Sequence, residues 1–191
     1  MGWPDAIDLH EMYPYNPEKA KQLLKALGFT EQNPLLLTIL VGNQDTTLAN
    51  VATLIKNQLG KIGVDAKVNL LDATAVVDRV LVKKDFEMVV SNWGSLVDIN
   101  MRSVSFFKGR QSDYMGIDSP DLKNLVLQWR RTLDPQGRRQ ISAEMQRLIA
   151  DQLYWVNISG YPFFQAYRKH VKDFLFYDQA YLFLEKVWVE K

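Results

Sequence analysis

Cysteine is absent from the 191 residues, which excludes disulfides, thiol nucleophiles and zinc–thiolate sites but does not choose a compartment, because exported proteins often lack cysteine too. Histidine is scarce: His10 and His170 stand far apart, without the i, i+4 spacing of a helical metal site. No Gly-x-Ser-x-Gly elbow, phosphate-binding glycine loop or dinucleotide fingerprint occurs, so the familiar α/β enzyme signatures are missing. No apolar run approaches the roughly 18 residues that span a bilayer. Met1-Gly2-Trp3-Pro4-Asp5 has no basic stretch leading into an apolar one, so neither anchor nor export signal is expected here. A formal charge of +1 gives no basic field for nucleic acid, and no nucleic-acid partner is expected.

What is present is punctuation. Asn16-Pro17-Glu18 opens a helix running to Leu27 and Gly28, with a cap, proline at the first helical position and glycine past the end. Leu35 to Val41, apolar except for Thr38, has the length and character of a strand covered on both faces. From Asp45 to Ile62 apolar residues recur at Leu48, Val51, Ala52, Ile55 and Leu59, which is helical spacing, and Gly63 supplies the stop. Val64 to Leu71 alternates as a strand, Asp72 caps a helix to about Lys83, and Phe86 to Val90 reads as a third strand. Strands separated by helices imply right-handed crossovers, so the class is α/β, with a mostly parallel sheet and helices on both faces. Ser119-Pro120 and Asp134-Pro135 open helices to about Thr132 and Tyr154 that should pack as an antiparallel pair, and Trp155 to Ser159 suits a returning strand.

In an open parallel sheet, ligands bind outside the carboxyl ends of the strands, where loops and helix starts present free backbone donors. That rule selects Gly42-Asn43-Gln44-Asp45, Asp72-Ala73-Thr74, Asn92-Trp93-Gly94-Ser95 and Ser159-Gly160-Tyr161. The third opens a long irregular stretch from Asn92 to Asp118, and long loops in compact domains are usually functional or disordered. The candidate ligand-binding residues are therefore Asn43, Gln44, Asn92, Trp93 and Gly94, with Asp98 and Tyr114 inside the same stretch. Trp93 is either a ligand platform or a core side chain, and Tyr114 either lies at the groove rim or packs inside. Scattered carboxylates could pair in space as an acid/base couple, but solvated or capping roles are the default. No catalytic residue, cofactor or metal is assigned.

At this point the residues resemble a known family. Tyr15-Asn16-Pro17-Glu18-Lys19-Ala20-Lys21-Gln22-Leu23-Leu24 with Gly28-Phe29 resembles the Y-x-P-E-K-A-K-x-L-L-x-x-x-G-[FY] helix of the peptide/nickel solute-binding proteins that serve ABC importers. Ile55-Lys56-Asn57-Gln58-Leu59-Gly60-Lys61-Ile62-Gly63-Val64 is similar to that family's I-x-x-Q-L-x-x-I-G-[IV] passage, and Asp85-Phe86-Glu87, Trp93-Gly94 and Val187-Trp188-Val189 stay in register. Tyr114-Met115-Gly116-Ile117 with Ser119-Pro120-Asp121-Leu122, and Arg138 with Gln146, resemble further family segments more loosely.

The resemblance implies the second lobe of a two-lobed periplasmic binding protein: a peptide or related small solute clamped between lobes, handed to ABC permease subunits, with no chemistry performed. It implies a periplasmic or extracytoplasmic location and a missing N-terminal lobe. Short-peptide binders place an aspartate three residues after the tryptophan to hold the peptide amine, and Leu96 stands there. Asp98 is either a substitute anchor or a local cap. The alternative is a self-contained α/β enzyme or small-molecule sensor domain, which would enclose a complete pocket within this chain.

Residues 1–170 read as the ligand-binding lobe and 171–191 as a tail returning to the first lobe. That tail is rich in large apolar residues, among them Phe174, Phe176, Tyr181, Phe183 and Trp188. Without its partner it should fold back on this lobe by an altered path or pair with a second copy as a homodimer, and the alternation of Tyr181 with Phe183 and of Val187 with Val189 suits an added strand; the alternative is that these side chains belong to this lobe's own core and the chain is a monomer.

Overall fold

Among the described residues, every helix of two turns or more starts where a side-chain oxygen meets the first free backbone N–H groups. The computed structural model describes residues 5–92, 116–160, 164–175 and 184–190. In α1 (Pro17–Ala26), Asn16 accepts from the Lys19 N–H at 2.8 Å. In α2 (Thr46–Gly60), Asp45 Oδ1 accepts from Thr47 N at 2.8 Å and Leu48 N at 3.2 Å. Ser119 and Asp134 cap α4 (Pro120–Arg131) and α5 (Pro135–Asp151) in the same way, each followed by proline at the first helical position. The short α3 (Ala73–Val77) is capped by Asp72, whose Oδ1 takes Ala75 N at 2.9 Å.

Three strands form a parallel sheet in the order β2-β1-β3, with β1 at Leu35–Gly42, β2 at Val64–Leu71 and β3 at Met88–Val90. The apolar run of β1 sits in the centre, as its two-sided composition requires: Ile39, Leu40 and Val41 are fully buried. Ile39 and Val41 join Ala66, Val90 and Ala52 of α2 in one cluster, with Leu48, Val51, Ile55 and Leu59 packed around it. The helical spacing of α2 thus covers one sheet face. Leu40 points to the other face, where α3 and the segment after it contact β1.

That segment departs from the sequence expectation. The helix beginning at Asp72 changes after Val77 into a π-helical stretch, Asp78–Lys83, and ends at Lys84, which is left-handed at φ 55°. The third strand accordingly starts at Met88 instead of Phe86. Thr38 N donates to the Glu87 carboxylate at 2.6 Å, so a side chain extends the contact between β1 and β3 below the Ile39–Met88 pair.

Helices α4 and α5 pack together around Leu122, Val126 and Met145, with Trp129, Ile141 and Trp155 against them. Arg138 lies 4.4 Å over the Trp129 ring and donates from Nε to the Thr132 carbonyl at 2.6 Å, locking the turn between the helices. Along α5 runs the N-terminal strap. Gln146 accepts from Ile7 N at 3.1 Å and donates to the Asp5 carbonyl at 2.9 Å, while Tyr13 donates to the Asp151 carbonyl at 3.0 Å.

The expected strand at Trp155 to Ser159 does not form; these residues are irregular. Leu153 turns left-handed at φ 52° after α5, and Trp155 returns to the α4–α5 cluster instead of the sheet, donating from Nε1 to Asn157 Oδ1 at 2.9 Å. In the tail, β4 (Val171–Lys172) and β5 (Trp188–Val189) pair antiparallel, with Val171 opposite Val189. The added strand suggested around Val187 and Val189 is thus present, but its partner is the chain's own Val171–Lys172. Tyr181 and Phe183 lie outside the described residues.

Candidate functional site

The chain leaves β1, crosses through α2 to β2 on one side, and then passes back to β3 on the other side. The strand order therefore reverses at β1, and the crevice outside the carboxyl ends of β1 and β3 is a topological switch point. Gly42, Asn43, Gln44 and Asp45 leave β1 at this edge, and Ser91 and Asn92 leave β3 beside them.

Local chemistry shapes the edge. A Cβ at Gly42 would stand 2.8 Å from Gln44 Oε1, so glycine lets the Gln44 side chain fold over the strand end. Asn43 N donates to the Leu71 carbonyl at 2.8 Å, which carries the β1–β2 pairing one residue past the strand and leaves the Asn43 side chain exposed. Asn92 Nδ2 donates to Asp45 Oδ2 at 3.4 Å across the crevice, while Asp45 Oδ1 is occupied by the α2 cap. Asn43, Gln44, Ser91 and Asn92 are all exposed. The edge thus offers exposed amide donors and acceptors beside a carboxylate with both oxygens engaged, a surface suited to hydrogen-bonding a polar solute.

Of the sequence candidates, Asn43, Gln44 and Asn92 come together at this edge. Trp93, Gly94, Asp98 and Tyr114 lie outside the described residues. Asp72 caps α3 at the neighbouring β2 end. Ser159 and Gly160 fall on irregular chain after the helical hairpin and end no strand. Asp45 entered the sequence candidates only as the last residue of the Gly42-Asn43-Gln44-Asp45 segment and not as an individual binding residue. Its contact with Asn92 spans 47 positions, which no local pattern reveals.

Other polar features lie elsewhere. In the strap, His10 Nδ1 is 2.6 Å from Asp8 Oδ1 and Nε2 is 2.8 Å from Glu11 Oε1. The Asp8 hydrogen bond raises the His10 pKa above the usual imidazole value, and hydrogen bonds from the His10 backbone and ring hold Asp8 below the usual carboxylate value. A cavity of about 280 Å³ opens against Thr38 and Leu40, on the sheet face opposite α2. Among the described residues no group of three His, Cys, Asp or Glu side chains could hold a metal ion, and no helix is long and apolar enough to cross a membrane.

Comparison with known proteins adds lineage to this geometry. The family model for bacterial extracellular solute-binding proteins, family 5 (middle region), matches residues 1–113. Di/tripeptide-binding protein 2 of Pseudomonas aeruginosa (strain UCBPP-PA14) is 26% identical over 185 residues, covering 91% of this chain and 33% of its own length. The chain therefore spans about a third of that relative. Among solved structures, the ABC transporter substrate-binding protein CtaP of Listeria monocytogenes superposes with a TM-score of 0.69 at 24% identity, over 78% of this chain and 30% of that one. NikA of Staphylococcus aureus, solved in complex with Ni(L-His)2, superposes with a TM-score of 0.74 at 16% identity, over 98% of this chain and 40% of that one.

Proposed function

The chain belongs to the bacterial extracellular solute-binding proteins of family 5, and from that premise we propose that it forms one lobe of the substrate-binding component of an ABC importer. It binds a peptide or related small solute in a cleft between lobes and presents it to permease subunits, outside the cytoplasmic membrane. The observation that carries this reading is the coincidence of the family match with a polar, exposed switch-point edge at Asn43, Gln44 and Asn92. Trp93, Gly94, Asp98 and Tyr114, which follow Asn92 in the sequence, complete the proposed ligand wall. Residues 1–170 form this wall and 171–191 form the segment that returns to the other lobe, which the longer relatives have the length to supply. In the absence of that lobe the tail pairs with a second copy. The ligand class follows the relatives' names, which include a di/tripeptide binder and a complex with Ni(L-His)2. Solute binding, the family's defining property, takes precedence over the self-contained enzyme or sensor.

An open edge buries a ligand on one side only, so affinity should be low without the opposing lobe. Calorimetric titration of the 191-residue chain with dialanine and trialanine is expected to give no better than roughly millimolar binding, about −4 kcal/mol. Micromolar affinity for this chain alone would mean that the site is complete here and that the one-wall reading is wrong.

A further inference from the structure

The cavity on the sheet face opposite α2 is separate from the switch-point edge and is built from different residues. Thr38 and Leu40 of β1 form its floor, Phe86 and Glu87 its wall beside β3, and Arg79, Lys84 and Asp85 its remaining rim. Two backbone irregularities meet there. Arg79 lies in the π-helical stretch Asp78–Lys83, and Lys84 is a non-glycine residue at φ 55°. Both features cost stability in an ordinary helix end and concentrate at functional sites.

The polar groups are arranged by role. Arg79 commits Nε and Nη2 to a single oxygen, Asp85 Oδ2, at 3.1 and 2.9 Å. Its carbonyl accepts from the N–H groups of Lys84 and Asp85, so the residue is fixed at both ends. Among the described residues, the outer nitrogen, Nη1, meets no hydrogen-bond acceptor. Glu87, which is exposed, uses Oε2 on the Thr38 N–H, a neutral donor, and among the described residues its Oε1 has no hydrogen-bond donor. A positive fork and a negative oxygen thus border the apolar surface of Phe86.

We propose that this cavity is a second binding site, for a small zwitterion of the free amino-acid class. The ligand carboxylate lies on Arg79 Nη1 with Lys84 nearby, the ammonium lies on Glu87 Oε1 and the Thr38 hydroxyl, and an aliphatic side chain covers Phe86. The size fits: about 280 Å³ lies just under the roughly 300–1,000 Å³ of sites for larger ligands. Neither charge alone is sufficient, because the lining carries two basic and two acidic side chains and has no field of one sign.

The test is a titration of the 191-residue chain followed by amide NMR, with L-leucine, 4-methylpentanoate and 3-methylbutylamine as probes. Leucine should give saturable shifts at Thr38, Lys84, Phe86 and Glu87. Each half-ligand should bind at least roughly tenfold more weakly, because each lacks one charge-assisted contact. Glu87→Gln retains an acceptor for Thr38 N and removes the charge, so it should weaken leucine and 3-methylbutylamine but leave 4-methylpentanoate unchanged. Equal binding of all three probes, shifts confined to Asn43, Gln44 and Asn92, or no saturation by about 10 mM would each overturn the proposal. The comparison of half-ligands on the unmodified chain stands even if the variant fails to fold. Loss of the cavity response leaves the switch-point reading untouched, since the two sets of reporting residues do not overlap.

Discussion

Asp45 has two tasks, one per oxygen: Oδ1 caps α2 and Oδ2 receives Asn92 across the crevice. Removing the side chain should cost the cap, about 1 kcal/mol, whereas Asp45→Asn keeps an acceptor for the helix and loses only the charge. Urea denaturation should therefore rank Asp45→Ala below Asp45→Asn, and equal stabilities would show that the cap contributes nothing. His10 allows a second test. Its raised pKa means that the contacts with Asp8 and Glu11 are fully present below the ordinary imidazole value and are lost as pH rises through the raised one. The lowered Asp8 pKa means that its share is present above the ordinary carboxylate range and is lost as pH falls through the depressed value. The strap turn at His10–Met12 is best held between those limits. Proton NMR should find His10 titrating above a free histidine, and Asp8→Asn should move it back down; an unmoved midpoint would remove Asp8 as the cause.

At the scale of elements, the two hydrophobic clusters share no residue: one joins β1, β2, β3 and α2, the other joins α4 and α5. A cavity made in one should be felt mainly there. Leu122→Ala should cost about 2–5 kcal/mol of local stability, accelerating amide exchange along α4 and α5, and also at Ile7, which Gln146 of α5 holds. Exchange in β1 should change much less, and equal acceleration in both clusters would show a single cooperative core. The parts of this fold that were legible in the sequence are those written in neighbouring residues. Asn16, Asp72, Ser119 and Asp134 all cap as their spacing implies, and the Leu35–Val41 run is the central strand. The rest depends on partners far along the chain. Nothing local shows that Gln146 will grip Asp5 and Ile7, or that Trp155 will choose the helical hairpin over the sheet edge. The π-helical turn at Asp78–Lys83 was illegible for another reason: its residues have the composition of an ordinary helix. At the candidate edge, the rule of carboxyl strand ends selects Asn43, Gln44 and Asn92, whose part in binding is a proposal, while the Asn92–Asp45 bridge needed the sheet order itself.

Across the whole molecule, the tail is the least self-sufficient part. Strands of two residues each make a marginal ribbon on their own. This one is helped by the Lys172–Glu190 ion pair at 2.8 Å and the bond from Trp188 Nε1 to Asp173 Oδ2, also 2.8 Å, both too exposed to contribute much. Around it Leu175, Leu184, Trp188 and Val189 are each at least half exposed. Apolar side chains gathered on a ribbon that needs support are expected to become a contact. On the reading proposed above, that contact is expected to be another lobe in a longer two-lobed protein and, for this chain alone, a second copy paired through an isologous surface. Light scattering should show association that grows with concentration. Trp188→Ser with Val189→Thr should abolish it, because both replacements leave the backbone pairing with Val171 and Lys172 possible while removing apolar surface. A chain that stays monomeric at every concentration, and whose melting temperature falls when those two residues are changed, would place the ribbon's apolar side chains in this lobe's own packing and rule out the copy-to-copy contact.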